Sequence, residues 1–177
     1  DFVTGKVRAA AEAVASPGTE IRAVTGTFGA RVIASRSENA VAAHSTVALA
    51  AEHAGDCDGM LIAVSYDTAV RAVRELLPVP VLGMTEAALH VASIVGGRVG
   101  VIVFGRRVLG LYRDVVAETG LGGCVVGWRA LESAKPFAAG DQSEVDAMIV
   151  AACADLVEKD GVEAIVLAGA VMAGVPA

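Results

Sequence analysis

Aromatic residues are scarce in this 177-residue chain, with Phe, Trp and Tyr making up 4% of it. The core must then be assembled from Ala, Val, Leu and Ile, which the 55% hydrophobic fraction supplies. Cysteine is scarcer still, with three residues, Cys57, Cys124 and Cys153. An odd number at wide intervals makes neither a disulfide framework nor a metal-ligand spacing, and suits a reducing cytoplasm. Long apolar runs are missing too. Mean hydropathy is +0.62, high for a soluble protein, yet the longest uncharged run, "AIVLAGAVMAGVPA", is too short and too rich in glycine to span a bilayer. Other apolar runs are cut by Asp58, Glu86 or Arg98. The first residues lack the pattern of a signal peptide, so a cytoplasmic protein that binds no membrane is expected. Basic clusters are absent as well. The net charge is −6 and scattered, which argues against a nucleic-acid partner. High hydropathy without spans fits parallel sheets covered on both faces, whose strands read as continuous apolar runs.

Helix-like and strand-like segments alternate along the chain. "FVTGKVRAAAEAVA" has helical periodicity and ends before the turn Ser16-Pro17-Gly18. "EIRAVTG" reads as a short strand. "SENAVAAHSTVALAAEHAG" is a helix with Ser37 as N-cap and Gly55 as its stop. A strand is expected over 59–64 and a helix over 68–77. Pro78 and Pro80 precede the strand "VLG", and Thr85 can cap the helix "EAALHVASIVGG". Then "RVGVIVFG" is a strand and "RRVLGLYRDVVAETG" a helix closed by Gly120. "CVVGWRAL" is a strand, "GDQSEVDAMIVAACADLVEKDG" a helix ended by Gly161, and "VEAIVLAGA" the last strand. Such alternation means βαβ crossovers and an α/β fold with parallel sheets. Gly96-Gly97 offers a joint between a first lobe, 1–94, and a second, 95–177. "DCDGMLIAVSYDTA" and "KDGVEAIVLAGAVMA" look alike, as duplicated lobes would and as βαβ units do for physical reasons alone. The chain opens inside a helix that no strand precedes and stops after a strand that no helix covers. A first strand and C-terminal elements are therefore expected beyond these residues.

Ligands of open α/β sheets bind at the carboxyl ends of strands. The first such turn holds Val64, Ser65, Tyr66, Asp67 and Thr68. Ser65 is the leading candidate for a catalytic group. Asp67 can act as a proton-transfer base or cap the following helix, with Thr68 sharing the cap. Tyr66 can bond substrate or pack as lobe surface, and the N-terminus of the helix that follows can receive a carboxylate or enolate oxygen. In "GMTEAA", Thr85 can face a ligand or cap its helix, and Glu86 can be a base only if burial raises its pKa. In "VFGRRV", Gly105 permits close approach of backbone to a ligand. Arg106 or Arg107 can pair with a substrate carboxylate or lie on the solvated surface. "LAGAVMAG", with Ala168, Gly169 and Ala170, has no ionisable side chain and can offer backbone N–H groups to an oxyanion. His44, His53 and His90 fall on helices as surface or core-edge residues. No metal and no organic cofactor is implied. The alanine-rich helices permit a homo-oligomer and suit core burial equally.

The blocks "SPGTEI", "PVLGMTEAA" and "VLAGAVMAG" occur in that order, with "LIAVSYDTAVRAVREL" among them. Together they resemble the aspartate/glutamate/hydantoin racemase superfamily, its hydantoin racemase-like branch most of all, over nearly the whole chain. The resemblance implies two Rossmann-like lobes, pseudo-twofold related, facing across a cleft where the segments around 65 and 169 converge. It also implies cofactor-free proton transfer next to the carbonyl of a small substrate, a hydantoin or an amino acid. One cysteine from each lobe would do this, one thiolate removing the proton and the other thiol returning one on the opposite face. Those cysteines would fall at Val64 or Ser65 and at Ala168 or Gly169, and none of the four is a thiol. Cys57 precedes its strand, at the end away from the cleft, while Cys124 and Cys153 sit on a strand and a helix as small buried thiols. Three explanations stay open: a branch using other groups, among them decarboxylases working through an enolate; a ligand-binding relative; or an engineered replacement, with Ala168 the residue to suspect.

Overall fold

The computed structural model describes residues 2–30, 32–55, 57–132 and 142–173. The elements run α1 (Phe2–Val14), α2 (Arg36–Glu52), β1 (Met60–Ile62), α3 (Val70–Leu76), β2 (Val81–Gly83) and α4 (Met84–Val95). Then come β3 (Val99–Phe104), α5 (Leu109–Thr119) with a 3₁₀ turn at Arg106–Val108 before it, β4 (Val125–Leu131), α6 (Gln142–Asp160) and β5 (Ala164–Ala168). The strands form two parallel sheets flanked by helices, β1 with β2 and, separately, β4-β3-β5. Among the described residues no helix is long and apolar enough to cross a membrane.

β3 lies in the middle of the larger sheet because "VGVIVF" has no polar side chain for either face. Val99, Val101 and Val103 meet Leu89 and Ala92 of α4 and Tyr112 and Val116 of α5. Ile102 looks the other way, onto Ala152 and Leu156 of α6. Two strand glycines make the seat for Leu156. A Cβ on Gly127 would stand 2.6 Å from a Leu156 methyl, and one on Gly100 3.0 Å from the other. Leu156 is wholly buried there, so Leu156→Ala is expected to cost about 2–5 kcal/mol, read as a fall in urea midpoint at unchanged m-value.

The smaller sheet packs Ile62 and Val81 against Ala50 of α2 and Val70 and Val73 of α3. α4 follows β2 directly, yet its Leu89 and Ala92 belong to the core of the larger sheet. It therefore ties the two sheets together.

Several expectations about local structure fail. Residues 20–26 form no strand, since among the described residues no neighbouring strand bonds to them and Val24 is left 44% exposed. A strand exists only through partners for its N–H and C=O groups. α2 is capped by Ser35, not Ser37. The Ser35 hydroxyl accepts from the Glu38 amide, and the Glu38 carboxylate accepts from the Ser35 hydroxyl at 2.9 Å and the Ala34 amide at 2.7 Å. Ser35 has an acid three residues on, the capping-box spacing, which Ser37 lacks. Finally, the residue capping α4 is Gly83, and Thr85 lies inside the helix.

Candidate active site

The 64–68 turn is anchored residue by residue. Val64 packs on the core under the smaller sheet. The Tyr66 hydroxyl donates to the Ile33 carbonyl at 3.0 Å, which commits it to the main chain. Thr68, 1% exposed, donates to Asn39 Oδ1 at 2.6 Å. α3 begins after a left-handed Ala69 with no side-chain cap, so neither Asp67 nor Thr68 caps it, contrary to expectation.

Asp67 caps a different helix. Its backbone is left-handed, φ +49°, and its carboxylate accepts from the Thr85 amide at 2.8 Å and the Glu86 amide at 2.7 Å, the first turn of α4. The approach is possible because residue 83 has no side chain: a Cβ there would stand 2.4 Å from the Asp67 carboxyl carbon. Burial pushes the Asp67 carboxyl up, and the two amides only partly offset this.

Glu86 closes the same helix end, accepting from the Gly83 amide at 2.9 Å and from Arg74, whose Nε donates to the Val81 carbonyl. Burial pushes its carboxyl up as well, but the Gly83 amide and Arg74 outweigh that and hold it below the ordinary glutamate value. Glu86 is therefore a fixed carboxylate, not a base of raised pKa. A depressed acid stabilises the fold above its unfolded pKa and loses that contribution as pH falls through its folded pKa. Melts taken downward from about pH 5 should show a steeper acid loss in the wild type than in Glu86→Gln.

Ser65 points the other way. Its carbonyl accepts the Thr85 hydroxyl at 2.6 Å, and its own hydroxyl accepts the Ala170 amide at 2.9 Å. The turns after β1 and after β5, 105 residues apart, thus meet. β5 delivers that amide. Ala168 is buried in the core and Gly169 turns the chain at φ +140°, a region glycine alone enters readily. The turn is closed by the Met172 amide on the Gly169 carbonyl at 2.8 Å. Beside it lies a hollow of about 150 Å³ walled by Met84, Thr85 and Ala88 of α4 and by Ala168, Gly169 and Ala170.

Tyr112 was not singled out by the sequence. It sits on α5, 2% exposed, with its ring against Tyr66 at 4.9 Å in an edge-on contact. Burial pushes its phenol far above the ordinary value, and the neighbouring Ser65 hydroxyl offsets this only in part. Tyr66 is pushed up to about 12, by burial first and then by the charge of Glu38. Both are neutral phenols near pH 7. The available signal was their rarity, two tyrosines in the whole chain.

Gly105 and Arg106 follow β3 at the same carboxyl end of the sheet, because Val103 is in register with Ala168. Gly105 has φ +89° and gives its amide to the Leu131 carbonyl, while the Arg106 amide goes to Glu132 Oε1 at 2.7 Å and its side chain is exposed. Ser65, Thr85, Ala168, Gly169 and Ala170 are thus gathered in one place. Val64, Tyr66, Asp67 and Thr68 hold the turn around them. His44 lies edge-on to Phe28, His53 bonds Arg22, and His90 is exposed on α4. The three cysteines are unpaired: Cys57 beside the His53 carbonyl, Cys124 just before β4, where a strand residue was expected, and Cys153 on α6. Among the described residues no group of three His, Cys, Asp or Glu side chains could hold a metal ion.

The family model for Asp/Glu/hydantoin racemases matches residues 1–177. The chain belongs to the Asp/Glu/hydantoin racemase family. A hydantoin racemase of Paenarthrobacter aurescens is 28% identical over 174 residues, covering 97% of this racemase-family chain and 74% of the relative. The structure of an allantoin racemase from Klebsiella pneumoniae superposes with a TM-score of 0.91 at 30% identity, over 98% of this chain and 71% of that one. An allantoin racemase from Pseudomonas fluorescens gives 0.89 at 30% identity, over 98% and 74%. The maleate isomerase Iso of Pseudomonas putida S16, at 19% identity and a TM-score of 0.60 over 93% and 70%, shares the fold. With racemases as its relatives, this family member is an enzyme of the racemase type, on the α/β architecture its sequence led us to expect.

Proposed function

We propose that this enzyme moves a proton, without a cofactor, at the carbon next to a carbonyl of a small substrate, a 5-substituted hydantoin first and an amino acid second. The observation that carries this reading is the Ser65 hydroxyl on the Ala170 amide. Strand-end turns from two sheets meet beside a hollow, and a main-chain N–H points into their junction. Removing the proton leaves an enolate whose charge gathers on oxygen, and a fixed N–H aimed at that oxygen is the economical way to stabilise it. The relatives support the substrate class, since hydantoin and allantoin share a five-membered ring imide with an acidic C–H.

In this reading two lobes, 1–94 and 95–177, related by a pseudo-twofold, form a cleft around the junction. Ser65, with Tyr112 beside it, serves one face of the substrate carbon. Asp67 acts by positioning, because both its oxygens hold amides of α4. Arg106 is the partner for any substrate carboxylate. The unpaired thiols support a cytoplasmic location.

An enantiopure 5-substituted hydantoin in D₂O tests the reading. The expected result is loss of optical rotation together with deuterium at C5, faster than in buffer. No exchange above the buffer rate sinks it, and CO₂ release from a malonate in its place moves the enzyme to one-faced protonation after decarboxylation.

A further inference from the structure

We propose that the Ser65 hydroxyl oxygen is a stand-in for the anionic oxygen of the substrate: it holds the Ala170 amide until the enolate forms, then gives the amide up. The inference rests on the enolate reading above. The amide that would receive the substrate oxygen already has an acceptor at 2.9 Å, and that acceptor is a side chain.

Releasing the contact needs rotation about one bond. The main chain at Ser65 is fixed by the Thr85 hydroxyl on its carbonyl. The next residues are fixed by Tyr66 on the Ile33 carbonyl and Asp67 on two amides of α4. The hydroxyl alone can change between the staggered positions of a serine side chain, and its contact with the Tyr112 phenol is given up with the amide. The amide cannot turn away, since it follows Gly169 at φ +140° in a turn closed by the Met172 amide. The adjoining hollow, about 150 Å³, gives an incoming ring atom space next to the amide.

This arrangement discriminates between ground state and transition state. A neutral carbonyl oxygen is about as good an acceptor as a hydroxyl, so neutral substrate gains little by displacing Ser65. An oxygen that has become anionic makes a shorter and stronger bond and wins the amide. The donor thus changes hands as charge develops, and its binding energy is spent where it lowers the barrier. The ligand class that takes the amide is a planar ring imide bearing negative charge on oxygen.

Barbiturate, such an anion at neutral pH, is titrated calorimetrically into the whole wild-type chain, Ser65→Ala and Ser65→Thr. Ser65→Ala is expected to bind it about three- to tenfold more tightly, because no internal hydrogen bond is displaced. Ser65→Thr keeps a hydroxyl on a stiffer stem and is expected within about twofold of wild type. Equal or weaker binding by Ser65→Ala overturns the proposal. A measurement without ligand accompanies it. Hydrogen exchange at the Ala170 amide is expected to be at least about tenfold faster in Ser65→Ala than in wild type, and unchanged exchange overturns the proposal as well. Barbiturate binding in the expected order without racemisation of hydantoins supports the stand-in while removing the racemase chemistry. Failure of all three proteins to bind barbiturate overturns both.

Discussion

Asp67→Ala is expected to lower kcat/KM about a hundredfold, and Asp67→Asn no more than about tenfold. The alanine removes both acceptors from the Thr85 and Glu86 amides. Loss of such a cap costs about 0.5–2 kcal/mol of stability. The larger effect is on position. α4 carries Met84, Thr85 and Ala88, one wall of the hollow, and Thr85 also holds the Ser65 carbonyl. A displacement of about 1 Å in such a support can cost about 10² in rate. Asparagine is a good helix cap and keeps one acceptor oxygen for one of the two amides, losing only the other bond, so it retains part of the support while removing any capacity to take a proton. If Asp67→Asn falls as far as Asp67→Ala with its melting temperature intact, Asp67 is the base and the positioning role is wrong. The acid side adds a check. Folding raises the Asp67 pKa, so its ionisation weakens the fold as pH climbs from the unfolded value through the folded one, opposite in sign to Glu86. Asp67→Asn removes that decline.

Gly83→Ala is expected to be nearly as damaging, at about 1–3 kcal/mol of stability by denaturant titration, the range of an overpacked core site. The new methyl would stand 2.4 Å from the Asp67 carboxyl carbon and 2.6 and 2.8 Å from its oxygens. That carboxylate cannot swing aside without leaving two amides unpaired. The clash predicts strong coupling. In Asp67→Gly the obstacle is gone, so adding Gly83→Ala to it should cost much less than in the wild type. Full additivity of the two substitutions would show that something other than the carboxylate fills the space beside Gly83.

The larger sheet was easy to read because its determinants are local. β3 has no polar side chain for either face, and Gly120 and Gly161 end their helices in the left-handed region, φ +75° and +61°. Caps were hard because the partners are not local. Asp67 precedes a helix in sequence, and a capping acid there normally serves that helix. Gly83, sixteen residues on, opens a closer route to a different one, which no local pattern encodes. Residues 20–26 have the composition of a strand, but composition does not say whether a neighbour exists to pair with. At the site, the importance of Ser65 followed from its place at a strand end. Its partner across the chain followed only from the family resemblance, and the contact from the fold itself. Tyr112 escaped notice because a tyrosine amid apolar helix residues reads as core, which it also is.

Where the two turns join, the nearest functional atoms are a serine oxygen and a peptide nitrogen, and the three thiols lie elsewhere. A thiolate that pulls protons from carbon is also a target for peroxide and for alkylating agents, and each oxidation step ends its service. The junction itself offers those reagents no thiol, and the sulfur beside it is the thioether of Met84 and Met172, whose sulfoxide is reversible. If the proposed Ser65 chemistry holds, activity is expected to outlast treatment with a thiol-alkylating agent, which a thiolate base would not.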